Sequence, residues 1–199
     1  MSVATIKFYL RERLLPPGTL TARNQAEYDE MHVARIKLIR VLTSIGMMSL
    51  ASVREVLAAI DDKCLSPRDL YQVLNRALCA QQTVSADTVA VESARASVDG
   101  FIDELGWLVD RDAPGRTALA RVVAALRDLG WPCDADVFAP YAEAAEHLAV
   151  RELESMPTGT AADLVTRTVL FEVAFAVMRR MAYEHHLTLR DSHIPGTPE

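Results

Sequence analysis

The first residues of the chain carry side chains that suit binding to double-stranded DNA. Near the start lie small residues that would let a helix approach the edges of bases, namely Ser2, Ala4 and Thr5. Longer cationic or hydroxyl side chains that can hold such a helix on phosphates follow them: Lys7, Tyr9, Arg11 and Arg13. Apolar residues recur at helical spacing among them, so residues 3–13 are predicted to form a recognition helix.

The elements that must position this helix follow directly in the sequence. Leu15-Pro16-Pro17-Gly18 ends the helix, and the polar stretch up to Glu27 predicts a loop or a short hairpin. Asp29 is the predicted N-cap of a helix over residues 30–45. Ser49 is the predicted cap of another helix, whose inner face consists of Leu50, Val53, Val56, Leu57 and Ile60.

The remainder of the chain is predicted to be helical. Ser66-Pro67 with Asp69 starts a helix to about Gln82, and after a break at residues 83–86 a longer helix reaches Trp107. Two more helices are predicted, over residues 114–130 and 137–156. The last helix, to about Leu187, is apolar on most sides and is therefore predicted to be buried. The polar tail of residues 191–199 is expected to be disordered.

Charge is distributed unevenly along the chain. The 199 residues carry a net charge of −6, which by itself does not favour nucleic-acid binding. Residues 1–60 hold eight Lys/Arg against five Asp/Glu, a net charge of +3, so the rest of the chain carries −9. A basic head on an acidic body is typical of a DNA-binding module joined to a regulatory domain.

Composition limits the class of protein and its compartment. No run approaches the ~20 apolar residues that a membrane span needs, and no signal peptide is visible. The three cysteines, Cys64, Cys79 and Cys133, are odd in number and widely spaced. They predict reduced thiols rather than a disulfide framework, and hence a cytoplasmic protein without a membrane partner.

The order of motifs over the first sixty residues resembles the MerR family of bacterial transcription regulators. Residues 2–9 are similar to the family's S-V-x-T-[IL]-R-[YF]-Y in the second helix of a winged helix-turn-helix. Residues 35–46 resemble its R-L-x-F-I-x-x-L-x-x-L-G, and residues 49–57 its S-L-x-E-I-x-x-L-L. The order and spacing of these pieces together make the resemblance fairly specific.

The resemblance implies DNA contacts from particular positions of this chain. It assigns them to Thr5, Lys7 and Tyr9 and to the wing, where Arg23 is the only basic candidate. Lys7 stands where the family usually has Arg, so the charge is kept without bidentate geometry. With the residues singled out above, the predicted DNA-binding set is Ser2, Thr5, Lys7, Tyr9, Arg11, Arg13 and Arg23.

The start of the chain departs from the family pattern. Family members open with a short helix and a turn before the residues seen here, and Met1 stands where they often have Val after Gly. A helix-turn-helix needs this first helix to brace the second one. One hypothesis is therefore that the true reading frame begins further upstream, and that Met1 is an internal GTG codon, which encodes Val but can also be read as a start Met. The rival hypothesis is a truncated chain that dimerises yet binds DNA poorly.

The resemblance also implies an all-α organisation of the whole chain. It predicts a partial winged helix-turn-helix head in residues 1–62, lacking its first helix, and an all-helical dimerisation and effector domain in residues 63–190. Such proteins bind pseudo-palindromic promoters as dimers and distort them so that RNA polymerase engages. Double-stranded DNA, a second copy of the chain and the polymerase are thus implied partners. The dimer helix could be 67–82 or 87–107.

The body shows no pattern typical of an enzyme or a metal site. The cysteines lack C-x-x-C spacing, and no catalytic motif or phosphate-binding glycine loop is present, so neither cofactor nor catalysis is predicted. A small-molecule effector site is conceivable among aromatic residues, although core packing is their more frequent use. The candidates for that site are Trp107, Trp131, Phe171 and Glu172.

The sequence therefore predicts a DNA-binding transcription regulator of the MerR type that could respond to a small molecule. Two hypotheses that assign the chain to other classes of protein stay open. One is a helical interaction protein that does not bind DNA and titrates an intact relative by forming heterodimers. The other is a ligand-binding or enzymatic module whose head is vestigial.

Overall fold

The computed structural model describes residues 2–22, 25–80, 88–155 and 159–191, and helices dominate these ranges. Within these ranges a single antiparallel hairpin pairs β1 (Thr19–Ala22) with β2 (Gln25–Glu27). The described α-helices are α1 (Val3–Arg11), α2 (Glu30–Arg40), α3 (Leu50–Asp61), α4 (Pro67–Cys79), α5 (Thr88–Glu104), α6 (Pro114–Asp128), α7 (Ala139–Glu154) and α8 (Ala161–Asp191). A π-helical turn over Val41–Ile45 extends α2, and a 3₁₀ turn over Ala135–Phe138 precedes α7. The prediction of an all-α fold is confirmed.

Capping side chains explain where several helices begin. The Asp29 carboxylate accepts from the backbone N–H of His32 at 3.1 Å and so starts α2. The Ser66 hydroxyl accepts from the N–H of Asp69 at 3.2 Å and starts α4, with Pro67 in the first turn. These groups satisfy backbone donors that would otherwise lack a partner at a helix start. Both caps were predicted from the sequence.

The chain divides into two compact units. The first contains the described residues within Met1–Val53 and Ala162–Glu199, that is, α1, the hairpin, α2, the start of α3 and α8. Its fully buried side chains are Leu14, Ile39, Leu42, Val53, Val165 and Val169. A Cβ on Gly46 would lie 2.9 Å from Cγ1 of Val169, so glycine allows the two segments to approach closely. The predicted domain boundary at residues 62–63 stays a prediction.

The second unit, Arg54–Ala161, is built around the pair α5 and α6. Its core cluster contains Ala94, Val98, Phe101, Ile102, Ala120 and Val123. Beside this core lies Arg116, whose side chain is only 3% exposed. It donates to the Asp99 carboxylate at 2.9 Å and to the carbonyl of Val109 at 2.9 Å. The network fixes α6 against α5 and the loop that joins them.

The prediction that the last helix is buried is wrong for most of its length. Val165 and Val169 are buried, but from Phe171 to Arg190 every residue of α8 is exposed. Apolar residues all round a helix predict burial only if the same chain supplies partners for them, and the described residues supply none for this part of α8. None of the described helices, α8 included, is long and apolar enough to cross a membrane. The predicted break at 83–86 and the tail after 191 lie outside the described residues.

Candidate nucleic-acid interface

Ser2 and Thr5 are brought together at the start of α1. Ser2 is the N-cap, and its hydroxyl accepts from the N–H of Thr5 at 3.2 Å. The two hydroxyl oxygens lie 2.9 Å apart, within hydrogen-bond distance. Two polar groups therefore surround the positive end of the helix dipole, where anions such as phosphates are favoured.

Lys7 and Arg11 share the exposed face of α1. They are four residues apart, so one helical turn brings them onto one stripe, and Ala4 lies beside them. Lys7 forms no ion pair with any described residue. The Arg11 side chain is 74% exposed, and its guanidinium stands over the Phe8 ring at 5.5 Å. Arg11 also lies 3.7 Å from the carboxylate of Glu12, a long ion pair at the surface. Lys7 is therefore the cation most available to an anionic partner, whereas Thr5 and Tyr9 are only partly exposed on the other side of the helix.

Arg13 is held in an unusual backbone conformation just after α1. Its φ is 56°, in the left-handed region that favours glycine. The N–H of Arg13 donates to the carbonyl of Leu10 at 3.1 Å, and the N–H of Leu14 donates to the carbonyl of Tyr9 at 2.9 Å. This pair of bonds is a Schellman motif, whose left-handed position is usually Gly. Arg13 is thus an exposed, positively charged residue at a backbone position that favours glycine.

Replacing Arg13 with glycine should raise the free energy of unfolding by about 1 kcal/mol, because the left-handed strain disappears. The same change should weaken DNA binding, because a cation next to α1 is lost. Urea denaturation and DNA titration of the same preparation measure the two effects.

Met47 supplies the matched control for this substitution. It also has a positive φ, 52°, and is exposed, but it carries no charge. Met47→Gly should stabilise the fold similarly and leave DNA affinity unchanged. If Arg13→Gly lowered stability, the backbone argument would be wrong.

The hairpin stands where the wing was predicted. Thr19 pairs with Glu27 and Leu20 with Ala26, and an irregularity follows Leu20. A Cβ on Gly18 would lie 2.6 Å from the carbonyl oxygen of Glu27, so only glycine allows the base of the hairpin to close. Arg23, the predicted basic residue of the wing, lies outside the described residues.

Arg35 helps to position α1, a role that the sequence analysis did not give it. Its Nε donates to the carbonyl of Leu14 at 2.7 Å, and this ties the turn after α1 to α2. Leu14 and Leu15 are buried beside it, 0% and 3% exposed. The sequence places Arg35 on the same side of the helix as the buried Leu38 and Ile39 of α2 and Leu42 of the π-helical turn, but gives no sign of its distant partner. An arginine at that position can reach a neighbouring backbone while its stem packs on apolar side chains.

The predicted effector residues fall in different units. Trp107 packs against the core of the second unit, and Trp131 is 67% exposed on the same unit. Phe171 and Glu172 belong to α8 in the first unit. Desolvation by neighbouring side chains raises the pKa of the Glu172 carboxyl, although the residue as a whole is exposed. An effector site at these residues stays a prediction.

The cysteines and acids do not gather into a metal site in the ranges that the structure describes. Cys64, Cys79 and Cys133 are reduced thiols, and Cys79 donates to the side-chain oxygen of Asn75 at 3.5 Å. No three His, Cys, Asp or Glu side chains of the described residues lie close enough together to hold an ion.

The candidate nucleic-acid interface lies in the first unit and consists of α1, the turn after it and the hairpin.

Comparison with known proteins agrees with this geometry. The sequence model of the family described as "MerR HTH family regulatory protein" matches residues 1–60. Among solved structures, the chain is similar to the "putative transcriptional regulator SCO5550 from Streptomyces coelicolor A3(2)". The identity is 34%, the TM-score is 0.69, and the match covers 100% of this chain and 94% of that one. No curated protein matches at a significant level. With a third of its residues identical over its whole length, the chain belongs to the MerR family of helix-turn-helix regulatory proteins.

Proposed function

We propose that this transcription regulator acts in the cytoplasm as a homodimer that binds a pseudo-palindromic promoter through α1 and the hairpin. Binding distorts the promoter, and the distortion changes how RNA polymerase engages it. A small molecule bound by the helical body would adjust this activity. The family membership supports DNA binding and transcriptional regulation, and the finer statements are our inference.

The observation that carries the proposal is the exposed stripe of α1. It combines a small side chain, Ala4, with two cations, Lys7 and Arg11, on a helix whose capped N-terminus is also exposed. Small residues near a helix start allow approach to bases, and cations one turn further along suit phosphates. The hairpin follows α1 after seven residues, so the wing and the helix can lie on the same stretch of DNA.

A two-fold operator follows from the size of this interface. One α1 helix with one hairpin reads only a few base pairs, too few to specify a site in a genome. Two copies related by a two-fold axis read two half-sites about one helical turn of DNA apart, which explains a pseudo-palindrome. Because two half-sites need two copies of the chain, the proposal includes a dimer.

The test is a titration of fluorescently labelled DNA from the region upstream of the protein's own gene. Salt must be fixed, because phosphate contacts make affinity depend steeply on it. We expect tighter binding to this DNA than to a shuffled sequence of the same composition, with a footprint of two equal halves. Equal affinity for both DNAs at every salt concentration would contradict the proposal.

A further inference from the structure

The outward side of α2 and of the π-helical turn after it carries two cations with no ion-pair partner in the ranges that the structure describes. Val33, Lys37, Arg40 and Ser44 follow one another at spacings of four, three and four residues, so they lie along one side of the helix. All four residues are exposed, and neither Lys37 nor Arg40 pairs with a described carboxylate. We call these four residues the α2 stripe.

The surrounding sequence supplies no acid that could neutralise the α2 stripe. From Met31 to Arg54 the chain has four Lys/Arg and no Asp or Glu. Glu30 precedes Lys37 by seven residues, which is about 10 Å along the helix axis and beyond the distance of an ion pair. Two cations one turn apart without a compensating charge favour an anionic partner.

The α2 stripe lies on the side of α2 that faces away from the recognition helix. Arg35 donates to the carbonyl of Leu14 directly after α1 at 2.7 Å, so Arg35 marks the side of α2 nearest to α1. At about 100° per residue, Lys37 lies roughly 160° around the helix from Arg35. DNA held on the exposed stripe of α1 therefore lies away from Lys37, and the α2 stripe is left for another anionic partner.

The composition of the α2 stripe suits a protein better than a nucleic acid. Val33 is 49% exposed and lies one turn before Lys37. A valine gains nothing from a phosphate backbone, whereas a protein surface can offer it an apolar side chain. Carboxylates beside that apolar side chain can pair with Lys37 and Arg40. The matching surface is therefore acidic with an apolar part.

We propose that the α2 stripe binds an acidic surface of RNA polymerase while the regulator is bound to its promoter. The inference rests on the proposed function, which places the regulator and the polymerase on the same DNA. It names the surface through which the two proteins touch. Lys37 and Arg40 pair with carboxylates of the polymerase, and Val33 packs on an apolar side chain next to them.

The size of the α2 stripe makes this contact dependent on DNA. Val33 and Ser44 are eleven residues apart, so one side of the helix over this length is about 16 Å long and offers roughly 200 Å². A stable interface takes about 800 Å² from each partner, so the two free proteins should bind each other only weakly. A promoter that holds both of them raises their effective concentration to roughly the millimolar range, at which a weak contact forms.

The test is the affinity of purified RNA polymerase holoenzyme for labelled promoter DNA, measured with and without the full-length regulator. We expect the natural regulator to increase this affinity about tenfold, and Lys37→Glu combined with Arg40→Glu to remove the increase. The double variant should keep the natural affinity for the promoter alone, the natural mass in solution and the natural circular dichroism. Lys37→Arg combined with Arg40→Lys keeps both charges and should keep the increase.

Lys63→Glu combined with Arg76→Glu is the matched control. Both residues are exposed and lie in the second unit, and the control changes the net charge by the same amount as the α2 variant. The control should keep the increase in polymerase affinity. Equal losses for the two double variants would overturn the proposal, because the effect would then come from the overall charge of the protein.

Three further results would each overturn the proposal. An α2 variant that binds the promoter alone far more weakly than the control would show that the α2 stripe binds phosphates. An altered mass in solution would show that it binds a second copy of the chain. An undiminished increase in polymerase affinity would show that the α2 stripe does not touch the polymerase.

Promoter binding separates this proposal from the proposed function. If the natural chain binds the promoter but the α2 variant increases polymerase affinity as much as the natural chain does, the α2 proposal fails and the regulator remains. If the natural chain does not bind the promoter at all, the proposed function fails, and the α2 proposal fails with it. Lys7→Glu provides the reference for a defect in DNA binding alone.

Discussion

Replacing Lys7 with glutamate is expected to lower the affinity for operator DNA about a hundredfold. Lys7 lies on the exposed stripe of α1 without an ion-pair partner among the described residues, so the change converts an attraction for phosphate into a repulsion. Two copies of the chain on one operator double the effect. Fluorescence anisotropy over a salt series measures the dissociation constant. We expect a weaker affinity for the variant and a shallower dependence of that affinity on salt concentration.

Lys63→Glu provides the control for this experiment. Lys63 is exposed like Lys7 but follows α3, away from α1 in the sequence. Lys63→Glu changes the net charge by the same amount as Lys7→Glu, so the comparison separates a local contact with DNA from the overall electrostatic field of the protein. We expect at most a small loss of affinity. If both variants lost the same affinity, α1 would have no special part in DNA binding.

Replacing Asp99 with alanine should lower the free energy of unfolding by about 3 kcal/mol, because it strands a buried arginine. Arg116 is only 3% exposed and has Asp99 as its nearest carboxylate, at 2.9 Å. Arg95 also reaches Asp99, at 3.3 Å. Without the carboxylate, Arg116 would keep a longer contact of 3.4 Å to Asp103 and the carbonyl of Val109. Urea denaturation followed by circular dichroism measures the loss.

Asp110→Ala is the matched control within the same unit. Asp110 also pairs with an arginine, Arg68, but the contact is 3.7 Å long and both side chains are more than half exposed. Exposed pairs of this kind contribute up to about 1 kcal/mol. We therefore expect Asp110→Ala to leave the denaturation midpoint nearly unchanged. Equal losses for the two variants would contradict the role given to the buried network.

The Asp99 network also predicts how stability depends on pH. Burial of Asp99 raises its pKa, but hydrogen bonds from Arg116 and Arg95 outweigh burial, and the pKa stays below the ordinary value of 3.8. A carboxyl with a lowered pKa in the folded state stabilises the fold above its ordinary pKa. That contribution disappears as the pH falls through the lowered pKa. The natural chain should therefore lose stability in this acid range, and Asp99→Ala should lack that loss.

Local sequence signals sufficed where a few neighbouring residues decide the structure. Asp29, Ser49 and Ser66 predict helix starts because a capping side chain acts within three residues. The hairpin followed from Pro16-Pro17-Gly18 and the polar stretch after it. The exposure of α8 could not be predicted in this way, because burial depends on packing partners that are distant in the sequence. The Arg116 network likewise joins residues 17 positions apart, a distance over which no local pattern acts.

The candidate interface was predicted only in part. The sequence identified Lys7 and Arg11 as cations on one helix, and the structure places them on one exposed stripe. It also identified Arg13, but not its left-handed backbone, because φ is set by the Schellman bonds of the turn. The role of Arg35 was missed because the contact with Leu14 spans 21 residues. These DNA-binding assignments stay predictions until binding is measured.

Selection of DNA from a random pool, with the natural chain and with Ala4→Gln, tests most directly whether α1 reads bases. Ala4 lies on the exposed stripe, and a glutamine there can form two hydrogen bonds with an adenine. We predict that both proteins enrich inverted repeats and that the variant prefers adenine at one further position in each half-site. Enrichment of no inverted repeat by the natural chain, or of identical sequences by both proteins, would contradict the account.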